Sequence, residues 1–186
     1  MRLKKLYVLV IVIALISCER DDICAESTTT TPRLLIEFYD SSNTEDLKNV
    51  SRLTVYGEGL VLDETGIEIE PIEVSDATIL FNENSNSVAL PLIIDTAGVV
   101  TTARFILEND TNLRLDDDAT TSSNIDVLEI SYIPLFEYVS RACGYKSIFT
   151  NLDIDLDTDA NNWISDIDIE ETIIENENTV HVRIFH

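Results

Sequence analysis

Thirty-five aspartates and glutamates, two histidines and three cysteines set the chemistry open to this chain of 186 residues. With so many carboxylates, position alone singles out no acid/base pair. His181 and the last residue, His186, are too few for a histidine-rich metal centre or a Ser/His/Asp arrangement. His181 alternates with apolar residues and is expected on a surface or at a sheet edge. One acidic run has ligand-like spacing: Asp153, Asp155, Asp157 and Asp159, followed by Asn161, Asn162 and Asp166. Calcium loops use hard oxygen ligands at alternate positions, and a count from Asp155 puts Asp157, Asp159 and Asp166 at loop positions three, five and twelve. However, Ala160 stands where such a loop requires glycine, Asp166 replaces the bidentate glutamate, and the flanks read as strands rather than helices. The run is therefore read as a solvated strand face entering a polar hairpin loop. Asp155, Asp157 and Asp159 remain weak calcium candidates, and neither a cofactor nor an enzymatic activity is expected.

The cysteines carry a clearer signal. Arg2, Lys4 and Lys5 precede Leu6 to Ile16, an uninterrupted run of eleven apolar residues. A membrane-spanning helix needs roughly 20 such residues, so the run fits the apolar region of a signal peptide over residues 1–17. Leu15-Ile16-Ser17-Cys18 resembles the bacterial lipobox. The resemblance implies cleavage before Cys18, diacylglycerol on its thiol and acylation of the new amino terminus; the alternative is an ordinary signal peptide beside an incidental cysteine. Assigning Cys18 to lipid leaves Cys24 and Cys143 as a pair in an exported chain, and a disulfide is expected, with two reduced thiols as the alternative. Such a bridge would fasten the tether to the domain near Arg141-Ala142-Cys143-Gly144.

These residues must be positioned by one domain. Cleavage leaves 169 residues, and the removed segment takes three of the twelve basic residues with it, so the formal charge moves from −23 to −26. A surface this acidic repels nucleic acid, and no basic stripe interrupts it. Residues 18–32, acidic and rich in threonine, read as a tether, and the domain is expected over 33–186. Leu34 to Tyr39, Arg52 to Tyr56, Ala77 to Phe81, Ser87 to Ile94 and Val99 to Glu108 are rich in β-branched residues, Leu and Phe and read as strands. Gly57-Glu58-Gly59, Asn82 to Ser87 and Asp95 to Gly98 read as breaks, the last as a hairpin connection between two apolar strands.

Period-two alternation is strongest in the C-terminal third. Leu152, Ile154 and Leu156 alternate with Asp153, Asp155 and Asp157; Ile167 and Ile169 follow the same rule, as do Val180, Val182 and Ile184. These read as half-buried antiparallel strands with one wet face. Nine or ten short strands without helical periodicity predict an all-β, antiparallel two-sheet sandwich, Ig-like in general architecture, with a closed barrel as the main alternative. Tyr132, Phe136, Tyr138, Tyr145, Phe149 and Trp163 are read as core or rim aromatics.

Three segments carry a further resemblance. Cys18-Glu19-Arg20-Asp21-Asp22-Ile23-Cys24, Thr31-Pro32 before Leu34 to Asp40, and Ser140 to Lys146 resemble an uncharacterised lipoprotein family of the Bacteroidota. The resemblance implies a lipobox, a β-rich body and a gene beside a predicted outer-membrane β-barrel, hence a barrel partner. Arg20-Asp21-Asp22 resembles the surface-export signal of that phylum's lipoproteins, with arginine in place of the usual lysine. It favours the cell surface over the periplasmic face of the outer membrane. Asp95-Thr96-Ala97 resembles a short O-glycosylation motif, so Thr96 is either a glycan acceptor or an unmodified turn threonine. The expected function is that of a non-enzymatic, lipid-anchored outer-membrane module for interaction or structure; the alternative is a surface module binding calcium or a glycan.

Overall fold

The computed structural model describes Cys24, residues 31–116 and residues 118–186. Two five-stranded sheets pack face to face, as the sandwich reading requires. The strands are β1 (Leu34–Asp40), β2 (Asn43–Leu47), β3 (Val50–Gly57), β4 (Thr78–Ser85), β5 (Ser87–Leu90), β6 (Thr101–Asn109), β7 (Asn124–Ser140), β8 (Gly144–Leu156), β9 (Asp166–Ile169) and β10 (Val182–Phe185). The larger sheet runs β4-β3-β6-β7-β8, and the other runs β2-β1-β10-β9 with β5 also paired to β1. One pairing departs from the antiparallel expectation: β1 and β10 are parallel, with Ile36 opposite Val182 and Phe38 opposite Ile184.

Alternation builds the core. Leu34, Ile36 and Phe38 of β1 face Leu53 and Val55 of β3, Ala103, Phe105 and Leu107 of β6, and Leu128 and Ile130 of β7 within one buried cluster. Tyr132 and Phe149 close it with an edge-to-face contact at 5.2 Å between ring centroids. Trp163 packs partly buried against Phe38.

Several sequence expectations are corrected. Asp95 to Gly98 does not connect a hairpin: β5 pairs with β1 in one sheet, whereas β6 lies in the other. The segment is a crossover between sheets, its turn held by the Gly98 N–H donating to the Pro134 carbonyl at 2.9 Å. Beyond Leu90 the proposed strand Ser87 to Ile94 stops at Pro91, which has no N–H to continue a ladder. The break over Asn82 to Ser87 narrows to Asn86, where the chain passes from β4 to β5 and so between sheets; β4 itself runs on to Ser85, with Asn82 at φ 53 within a pairing with β3 whose register shifts repeatedly. A helical turn, α1 (Thr111–Leu115), follows β6 where none is expected.

His181 is the clearest reversal, being 2% exposed rather than at a surface or edge. The chain reaches it just before β10, which lies between β1 and β9, so the alternation Val180-Val182-Ile184 marks an interior strand whose other face is also covered. Phe136, Tyr138 and Tyr145 are 49%, 55% and 65% exposed, and lie outside the core formed by the remaining aromatics.

Candidate interaction surface

The acidic run occupies the solvent face of β8 and the loop after it. Asp153 and Asp155 stand opposite Ser131 and Glu129 of β7. The Asp157 carboxylate accepts from Arg104 Nη2 at 2.5 Å, and Asp159 Oδ1 accepts from the Asn161 N–H at 2.6 Å. Asn162 turns inward and donates to Asp126 Oδ1 and to the Asp157 carbonyl. The loop's oxygens thus close its own turns, and Asp155, Asp157 and Asp159 are not gathered about one point. Among the described residues no group of three or more His, Cys, Asp or Glu side chains is placed to hold a metal.

Polar groups inside the molecule are matched to one another. The Leu35 N–H donates to His181 Nδ1 at 2.9 Å, while Nε2 lies 3.1 Å from the Asn176 carbonyl, to which it donates in the neutral form. Burial pushes the His181 pKa below its ordinary value. Glu108 is fully buried on the outward side of β6 and receives Arg114 in a two-pronged ion pair at 2.6 and 2.8 Å. Arg114 also donates to the Pro71 carbonyl, tying the long β3–β4 connection to α1, and the Thr111 hydroxyl donates to the buried Thr54 hydroxyl at 2.8 Å. Asp126 accepts from the Ile164 N–H at 2.8 Å, and burial raises its pKa. Composition gives no hint of these pairs, since partners from distant strands select a few of many similar carboxylates. Arg104 collects Glu58, Asp157 and Glu129 on the solvent face of the larger sheet; its hydrogen bond to Glu58 leads the causes that raise its pKa.

Cys24 and Cys143 are joined in a disulfide, with Cα atoms 4.8 Å apart. Cys143 lies in the turn of the β7–β8 hairpin, between Ser140, whose Oγ accepts the Cys143 N–H, and Gly144, which supplies the left-handed backbone (φ 70) that closes the turn. Cys18, Arg20, Asp21 and Asp22 lie outside the described residues. Thr96 lies on an exposed turn, with its Oγ1 3.5 Å from Asp95 Oδ1.

The hairpin outruns its neighbour. β6 pairs with β7 only from Asn124 to Tyr132, whereas β7 and β8 stay paired to Ser140 and Gly144. Phe136 and Tyr138 continue the inward-facing row of Leu128, Ile130 and Tyr132, and Tyr145 stands directly across from Tyr138, ring to ring at 5.5 Å. Apolar side chains are also exposed in two connections. Leu60, Ile72 and Val74 of the β3–β4 connection and Ile93, Val99 and Val100 of the crossover are each more than half exposed. Between these connections lies a cleft of about 610 Å³, floored by Leu92, Ala103 and Phe105 and rimmed by Glu58 and Arg104. In the sequence the glycine-flanked start of the β3–β4 connection reads only as a break, and the recurring Leu, Ile and Val from Leu60 to Val74 are the signal of its apolar character.

Fold and surface together define a disulfide-fastened, acidic two-sheet β-sandwich with large apolar side chains exposed in its connections. The chain belongs to the family of unknown function DUF6452, whose model matches residues 53–186. No curated protein and no solved structure matches the chain.

Proposed function

We propose that this chain is a non-enzymatic lipoprotein of the outer membrane of Bacteroidota, a cell-surface module held by acyl groups on Cys18 whose β-sandwich engages a protein partner, an outer-membrane β-barrel. The observation that carries the interaction role is the set of large apolar side chains left in water by the β3–β4 connection and the crossover, Leu60, Ile72, Val74, Ile93, Val99 and Val100, in a protein of formal charge −23. Leu60 and Ile93 line one cleft, and exposed apolar surface gathered in this way on a strongly charged domain supports an interaction site. The basic, apolar and lipobox pattern of residues 1–18 supports the anchor, and Arg20-Asp21-Asp22 supports the outward face. Affinity purification of the full chain from native membranes, with bound proteins identified by mass, tests the reading. Recovery of a β-barrel, lost in an Ile72→Asp/Val74→Asp variant that keeps its melting temperature, is the expected result; recovery of the chain alone overturns the barrel partner. Intact mass of the same preparation reads the acyl groups on Cys18 and any glycan on Thr96.

A further inference from the structure

We infer that the tip of the β7–β8 hairpin is a membrane-contacting element, which inserts Phe136, Tyr138, Val139 and Tyr145 into the interfacial layer of the bilayer and so orients the sandwich on its anchor. Beyond Tyr132 the hairpin leaves the body of its sheet, and Phe136 and Tyr138 extend the row of core-facing side chains where no second sheet covers them. Tyrosine suits this boundary, because its ring is apolar and its hydroxyl stays hydrated.

Charge points the same way. The segment 133–148 carries one acidic residue, Glu137, bound to Lys146 at 3.0 Å, and a further cation, Arg141. At the other end of β6 and β7 lie Asp110, Asp116 and Asp118 beside α1, with Asp157 and Asp159 in the loop after β8. The tip segment is thus apolar and weakly basic in an otherwise acidic chain, and is the part an acidic envelope surface repels least. The disulfide supplies the connection. Cys24 is bonded to the residue at the hairpin turn and stands six residues after Cys18, a reach of at most about 20 Å even when fully extended. An acyl chain on Cys18 would therefore keep this tip within about 20 Å of the bilayer. The acyl groups supply affinity; the tip, at high effective concentration against the surface, supplies orientation.

This inference rests on lipidation of Cys18, and one experiment separates the two. The full chain, purified from membranes, is reconstituted into phosphatidylethanolamine vesicles containing a photoactivatable phospholipid, illuminated, and mapped by mass. Intact mass shows the acyl groups. Label is expected to concentrate in peptides spanning 133–148, severalfold above the more exposed Ile72 and Val74 of the β3–β4 connection, and to fall severalfold in a Phe136→Ser/Tyr138→Ser/Tyr145→Ser variant whose exposed positions leave the fold intact. A lipidated chain whose hairpin takes no more label than the β3–β4 connection overturns the inference alone. A chain with an unmodified Cys18 overturns the anchor and the inference together.

Discussion

At the scale of single residues, the structure turns on a few polar side chains drawn out of water. Glu108 has no exposed surface and depends on Arg114 for its compensating charge. Removing one partner of a buried pair strands the other, so Arg114→Ala is expected to lower stability by about 3 kcal/mol in urea unfolding; a Glu108→Gln/Arg114→Met double variant should recover much of that loss. His181 sets a pH dependence. Its folded pKa lies below its unfolded value because burial disfavours the imidazolium, so the unfolded chain takes up the proton first as pH falls. Its stabilising effect is complete above about pH 6.5, the ordinary histidine value, and is lost as pH falls from there toward the folded pKa. His186, also shifted down by burial, adds in the same direction. The urea midpoint is expected to drop between pH 7.5 and pH 5.5, and to drop less in His181→Gln, which cannot titrate; an equal drop in both proteins would remove His181 as the cause.

At the scale of elements, the β7–β8 hairpin spans the sandwich and then leaves it, and the Cys24–Cys143 bridge grips its free end. The bridge closes a 119-residue separation, so breaking it releases the unfolded chain from a large constraint. Cys143→Ser is expected to lower stability by about 2–4 kcal/mol while leaving the β-sheet circular dichroism signal in place, because the paired strands themselves are untouched. The β1–β10 pair is the other defining element, joining the start of the domain to its end through a parallel ladder. It places Leu35, whose N–H reaches His181, at the centre of the smaller sheet.

At the scale of the whole molecule, acidity and fold oppose each other. Thirty-five acidic side chains against twelve basic ones repel across the surface, while clusters such as Arg104 with Glu58, Glu129 and Asp157 offset only part of it. Screening shortens the range of that repulsion from about 10 Å at 0.1 M salt to about 3 Å at 1 M. The melting temperature is therefore expected to rise with sodium chloride across that range; a fall would show that the attractive clusters outweigh the net charge. The hairpin tip, residues 133–148, stands out from this acidic surface as an apolar, weakly basic segment, which bears on how the molecule meets a membrane.

Local information sufficed wherever one strand and its own alternation decided the outcome. Leu152 to Leu156 and Ile167 to Ile169 announce strands because a period of two puts every apolar side chain on one face, Leu34 to Tyr39 does so by its strand-favouring residues, and many such strands without helical periodicity announce a sandwich. Cysteine counting reached the Cys24–Cys143 pair for a similar reason: few thiols leave few pairings. Tertiary structure alone decided what depends on partners remote in the chain. Alternation cannot reveal whether a strand's second face is covered, so His181 reads as a surface or edge residue when packing buries it, and the choice between core and rim for Tyr138 falls to packing, which leaves it in water. Nor can a turn signature say whether the strands it joins share a sheet, so Asp95 to Gly98 read as a hairpin. Among so many carboxylates, burial of Glu108 and Asp126 followed from where β6 and β7 meet α1 and the segment after β8, an arrangement fixed by long-range pairing.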